Sequence, residues 1–286
     1  MTTKVTKVHE GKSLTSRRPT IGVFDSGFGG LTVLKALLEL IPDADYLYFG
    51  DTARLPYGSK SVETVARYAV EAAHYLEEHG AALLVIACNT ATALALDRIT
   101  ADAHVPVVGV VEPGAEAAAS VTKNKKVVVI GTEATVSSHA YRKALEARGL
   151  NAREKACPLL VPLVEEGWVE HAVTEEVAGI YLSEAFADGF HDADALVLGC
   201  THYPLIKPLL RRAAPAHVSI VDSAESTARV VAGHLRSLLP PTAQEERRAL
   251  PRIKFFATDS VEKFRRLGER FLGHPIEDVR HVDLKE

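Results

Sequence analysis

At 286 residues with 47% hydrophobic and 24% charged content, the chain has an ordinary composition that excludes a disordered or fibrous protein and allows one large core or two modest ones. A formal net charge of -4 gives no global basic field, so nucleic acid and anionic membrane surfaces are poor partners and a small molecule is the better expectation. Three cysteines, Cys88, Cys157 and Cys200, are too few and odd in number for a disulfide framework and point to free thiols in a reducing cytoplasm. Residues 1–19 are polar and read as a flexible N-terminal extension. The longest apolar run, Ala81 to Cys88, falls well short of the roughly 18 residues a membrane helix needs, so a cytoplasmic protein is expected.

Taken in chain order, residues 21–24 read as a strand, and Leu31, Leu34, Leu37 and Leu38 then mark one face of a helix. A second strand at 46–49 is followed by a helix whose face carries Val65, Tyr68, Ala69, Ala72, Ala73 and Leu76. Strands at 83–87 and 107–111 complete the pattern. Strands alternating with amphipathic helices predict a parallel sheet covered by helices, the doubly wound α/β class.

The second part of the chain repeats the first. Residues 127–130 before Gly131 mirror residues 21–24 before Asp25, the run ending Cys88-Asn-Thr mirrors the run ending Cys200-Thr-His, and 107–112 mirrors 218–222. The offsets of 106, 112 and 110 residues are nearly constant. We therefore expect two pseudo-symmetric Rossmann-like α/β domains with the active site in the cleft between them. The first domain takes residues 20–113 plus 224–286 and the second residues 114–223. Pro240-Pro241 and the charged stretch through Arg248 read as an exposed connection, and the tail beyond, with strands at 252–257 and 279–282 and a helix at 261–271, is expected to return to the first domain.

Cys88 and Cys200 each follow an apolar strand and precede a helical segment, which puts both at carboxyl ends of sheet strands, where open α/β folds bind ligands. At a helix N-terminus the dipole and free amides are expected to lower a thiol from about 8.5 towards neutrality. A lone buried cysteine is usually a small apolar residue. Two in equivalent repeat positions, flanked by Asn89-Thr90 and Thr201-His202, instead suit a reaction that removes a proton from one face of a tetrahedral carbon and returns one to the other.

The neighbours fit a compact ligand bearing an ammonium and two carboxylates. Asn89, Thr90 and Thr201 offer neutral donors, amides of the turn after residues 21–24 can approach a carboxylate, and Asp25 can hold the ammonium or assist the proton. For Ser26, Thr90 and Thr201, helix capping is an equally good reading. Asp25-Ser-Gly-Phe-Gly-Gly30 departs from a dinucleotide fingerprint, because the third glycine position counted from Gly27 is Thr32. The loop Pro56-Tyr57-Gly58 either closes one side of the cleft or is a turn with a packed tyrosine. Cys200 and His202 lack the companions of a zinc site, so no metal is expected.

Asp25-Ser-Gly-Phe-Gly-Gly30, Pro56-Tyr-Gly58, Cys88-Asn-Thr90 and Gly199-Cys-Thr-His-Tyr-Pro204, in that order, resemble the bacterial glutamate racemases, from about residue 21 to 239 and into the tail. The resemblance implies interconversion of L- and D-glutamate for peptidoglycan synthesis without any cofactor or metal. It implies Cys88 acting on D-glutamate and Cys200 on L-glutamate, with Asp25, Ser26, Tyr57, Gly58, Asn89, Thr90, Thr201 and His202 around the substrate. Asp25, His202 and Glu165 become auxiliary acid or base groups, Thr132 and Thr135 further contacts, and Cys157 has no counterpart. A homodimer and activation by a muropeptide precursor are also in the family's range. The rivals are racemisation of aspartate or a hydantoin through the same pair, a cysteine hydrolase, which leaves one thiol idle, and a binding protein with a vestigial cleft, against which both intact thiols argue.

Overall fold

The computed structural model describes residues 18–238 and 250–284. The N-terminal extension through residue 17 and the connection at Pro240-Pro241 through Arg248 lie outside the described residues. The first half runs β1 (Thr20–Asp25), α1 (Leu31–Leu40), β2 (Asp45–Gly50), α2 (Val62–Glu78), β3 (Leu83–Ile86), α3 (Asn89–Asp102), β4 (Val107–Gly109) and α4 (Val111–Val121). The second begins β5 (Lys126–Gly131), α5 (Glu133–Ser138), α6 (Ala140–Glu146), β6 (Asn151–Ala156), α7 (Leu160–Glu165) and α8 (Ala172–Ala185). It continues β7 (Ala195–Gly199), α9 (Lys207–Ala213), β8 (Ser219–Asp222) and α10 (Ala224–Leu238), and the tail adds β9 (Ile253–Ala257), α11 (Val261–Leu272) and β10 (Val279–His281).

Two sheets result, one ordered β10-β9-β2-β1-β3-β4 and one ordered β6-β5-β7-β8, with every pairing parallel. The shared order makes β1 equivalent to β5, β3 to β7 and β4 to β8, the same correspondence as the sequence repeat. Leu83 to Ile86 and Val127 to Ile130 have no exposure, as strands covered by helices on both faces require. This is the two-sheet, doubly wound α/β architecture expected from the sequence.

Three local readings change. The strand expected at 107–111 stops at Gly109, because Val110 adopts helical backbone and leads into α4. The domain boundary drawn near Pro113 consequently falls inside α4, a helix that packs on β7 and β8. The repeat also has a member that hydrophobic pattern conceals: β6, Asn-Ala-Arg-Glu-Lys-Ala, is the counterpart of β2. It is an edge strand whose charges are spent on neighbours, Glu154 on His139 and Arg142, and Arg153 on Asp188 and the Ala187 carbonyl. Its first residue lies 106 positions after Asp45, the offset already seen between β1 and β5.

The tail returns to the first sheet. Strand β9 pairs with β2 and β10 with β9, and the Arg252 amide and guanidinium both donate to the Asp45 carboxylate at the entry to β2. Helix α11 is seated by Phe264, fully buried against Phe28, Tyr48 and Phe255 with ring centroids 5.8 to 6.2 Å apart. Among the described residues no helix is long and apolar enough to cross a membrane. Phe264→Ala removes a ring that cannot be replaced by local collapse, so urea denaturation should show a loss of about 3–5 kcal/mol. A loss below about 1 kcal/mol would mean that this cluster does not seat α11.

Candidate active site

Strand β3 delivers Cys88 to the N-terminus of α3, where its sulfur serves as the cap and accepts the Ala91 amide at 3.4 Å. The thiol also lies 3.5 Å from Ser26 Oγ, across the neighbouring strand end. The helix N-terminus does not lower this thiol as the sequence suggested. Burial, reinforced by the nearby Asp25 charge, outweighs the donors from Ser26 and Ala91 and pushes Cys88 up to about 12.

Strand β7 delivers Cys200, which is followed by a turn and a short 3-10 segment at Tyr203–Ile206 before α9, so it is not itself at an α-helix start. Its partner is His202, with Nδ1 3.9 Å from the sulfur. His202 Nε2 in turn faces Glu165 Oε1 at 3.2 Å. Burial opposes charge on the ring, yet the hydrogen bonds and charges of Cys200 and Glu165 outweigh it and raise His202 to about 10. Burial likewise raises Glu165, but His202 and Lys263 overcome it and hold the carboxyl below its usual range. An imidazolium thus stands beside the Cys200 sulfur.

Both thiols open onto one cavity of about 420 Å³, within the range of small-molecule sites. Ser26, Tyr57, Gly58, Asn89, Thr90, Thr201, His202 and Glu165 line it with them. The Tyr57 loop is both things the sequence allowed: it forms a wall of the cavity, and its ring is packed, with the hydroxyl donating to Asp51 at 2.5 Å. Asp51 also accepts from Thr258, so the tail helps fix this wall. Asn89 accepts from Tyr141, and Thr90 shares hydroxyl contacts with Thr132 at 2.9 Å and Thr135 at 3.2 Å, which joins α3 to the second half. Ser26, Thr90 and Thr201 cap no helix; Cys88 and Thr132 take that task.

Asp25 does not reach the cavity surface. It is fully buried behind it, accepting from the Gly27 and Gly30 amides and the Thr201 hydroxyl. Burial raises its pKa against the opposing His202 charge and those donors. The amides expected to meet a carboxylate are therefore partly consumed inside the turn. The glycines have another purpose: a Cβ on Gly29 would collide with the Thr201 hydroxyl and come within 2.7 Å of His202 Nδ1.

Sequence reasoning missed Asp51, Tyr141, Lys263 and the apolar wall of Pro158, Val161 and Pro162. Asp51 had a signal, since it follows β2 as Asp25 ends β1, whereas the others come from distant segments. Cys157 is buried, packs near Tyr203 and is absent from the cavity lining. Among the described residues no group of three or more His, Cys, Asp or Glu side chains converges to hold a metal ion.

The raised Cys88 has a direct readout. A thiol near 12 is protonated at neutral pH and gains thiolate as pH rises, so pulsed iodoacetamide labelling followed by peptide mass spectrometry should give a Cys88 rate still climbing at about pH 10. A plateau by about pH 9 would contradict the assigned environment.

The profile of the Asp/Glu/Hydantoin racemase family matches residues 21–231. A glutamate racemase of Koribacter versatilis is 60% identical over 289 residues, covering 95% of this chain and 99% of its own. The glutamate racemase of Thermus thermophilus, solved with beta-chloro-D-alanine, superposes with a TM-score of 0.82 at 47% identity, covering 93% of this chain and 98% of its own. That of Francisella tularensis, solved with D-glutamate, gives 0.83 at 36% identity over the same shares. On its matched span, its architecture and its paired strand-end thiols, this chain belongs to the Asp/Glu/Hydantoin racemase family.

Proposed function

We propose that the protein interconverts L- and D-glutamate by a two-thiol proton transfer, supplying the D-isomer for peptidoglycan. The observation that carries the reading is the placement of Cys88 and Cys200 at corresponding ends of β3 and β7, open to a single cavity. Relatives named glutamate racemase that align over nearly the whole chain narrow the carbon acid to glutamate.

In the L-to-D direction the Cys200 thiolate, beside the His202 imidazolium, takes the α-proton, and the electron pair stays on the substrate as a carbanion delocalised into its carboxylate. The Cys88 thiol then donates its proton to the opposite face. Charge balances, since one thiolate is consumed and one is formed, and the reverse direction exchanges the two roles. Burial suits Cys88 to wait as the protonated partner. Among the described residues the lining offers no Lys or Arg, so the substrate carboxylates are held by neutral donors from Ser26, Asn89, Thr90, Thr132 and Thr201. Asp25 acts from behind the wall, through Thr201 and through its charge near Cys88.

Incubation of each enantiomer in heavy water should give α-deuterium incorporation together with loss of optical rotation. No exchange with either enantiomer would defeat the proposal. Cys88→Ser and Cys200→Ser should each lower turnover by about 100-fold to 10,000-fold, and near-native turnover in either would remove that thiol from the chemistry.

A further inference from the structure

The arm that carries Cys200 ends in a different part of the chain. Glu165 gives Oε1 to His202 Nε2 at 3.2 Å and Oε2 to Lys263 Nζ, in the tail helix α11, at 3.4 Å. The same helix presents Phe271, whose ring meets that of His202 edge to face, with centroids 5.4 Å apart and planes at 82°. Lys263 Nζ also stands 5.7 Å from the Phe28 ring centroid, so one ammonium touches both the glycine-rich turn of the first half and the carboxylate of the second. Helix α11 begins beyond residue 231, where the family profile match ends.

A partly exposed ion pair adds about 0–1 kcal/mol to stability, which makes Lys263 a poor fold-holding residue. Its geometry is more specific. With a partner on each oxygen the Glu165 carboxylate has a fixed plane, and with Phe271 against its face or edge the His202 ring has a fixed tilt, which together keep Nδ1 directed at Cys200. We propose that Lys263 is a positioning residue for the Cys200 half-reaction, acting through Glu165 and His202. The inference rests on the two-thiol reading above.

The two enantiomers are equally stable, so any variant lowers kcat/KM equally in both directions, and rates alone cannot tell which thiol is affected. Primary isotope effects can. Lys263→Ala should lower kcat roughly 10-fold with KM nearly unchanged, in line with loss of a charged hydrogen bond, and Lys263→Arg should restore most of it. With α-deuterated L-glutamate the isotope effect on kcat/KM should rise in Lys263→Ala, because removal of the proton by Cys200 becomes more rate-limiting. With α-deuterated D-glutamate, whose proton leaves to Cys88, it should fall. A kcat within about twofold of wild type, or a loss with neither isotope effect moved, overturns the proposal. Failure of the wild-type protein to exchange solvent deuterium would instead defeat the two-thiol reading, so the two failures are distinguishable.

Discussion

The site depends on the approach of the turn after β7 to the turn after β1. At Gly29 there is no room for even a methyl group, because the Thr201 hydroxyl and His202 Nδ1 occupy that space. The contact fixes how closely the two sheets face each other at their carboxyl ends, where parallel strands gather ligand-binding groups. It also lets Thr201 of one half donate to Asp25 of the other, with Thr32 reaching the Thr201 carbonyl. A glycine-rich turn that looks suited to an anion is here a socket for a second turn. Tyr48 holds the socket's shape from below by donating to the Gly27 carbonyl at 3.0 Å.

Within this nearly symmetric frame the two thiols live in unlike electrostatic settings. Cys88 is surrounded by neutral donors, with the Asp25 carboxyl nearby, and burial keeps its proton on. Cys200 stands at the end of a charged series running through His202 and Glu165 to Lys263. An uncatalysed preference between mirror-image substrates does not exist, so the free-energy profile of a racemase needs no symmetry of groups, only comparable barriers on both sides. Two equivalent strand ends, β3 and β7, set in different surroundings meet that requirement.

Much of this was legible from the sequence. The repeat could be read because β1 and β3 and their counterparts β5 and β7 are buried on both faces and spell nearly continuous apolar runs. Strand β6 was not legible from hydrophobicity, because as an edge strand it carries three charged residues in a row, Arg153 to Lys155, which its exposed side tolerates. Cys88 and Cys200 stood out through their equivalent positions, and Asn89, Thr90, Thr201 and His202 through adjacency. Adjacency gives no exposure, however, which is why Asp25 was placed at the cavity surface and lies behind it. The thiol environment of Cys88 was misjudged for the same reason: a helix N-terminus is visible in sequence, whereas the depth of burial that overrides it is not. Lys263 and Phe271 lie 59 and 67 residues beyond Pro204, where the last motif ends, and nothing local marks them.

The tail breaks the symmetry for a reason that lies in the edges of the sheets. Strand β6 closes its sheet with Arg, Glu and Lys side chains, which discourage further pairing. Its counterpart β2 is Asp-Tyr-Leu-Tyr-Phe-Gly, buried along its whole length, and as an open edge it would be an adhesive aromatic strip. Strands β9 and β10 cover it, and the Asp45–Arg252 clamp sets where that cover begins. The connection between β9 and β10 must cross one face of the extended sheet, and α11 is that crossover. Once Phe264 is packed against Phe28 and Tyr48, the adjacent Lys263 is held at Glu165, and about two turns later Phe271 arrives at His202. A device that protects a sheet edge thereby brings a charge and an aromatic ring to the thiol of the opposite half.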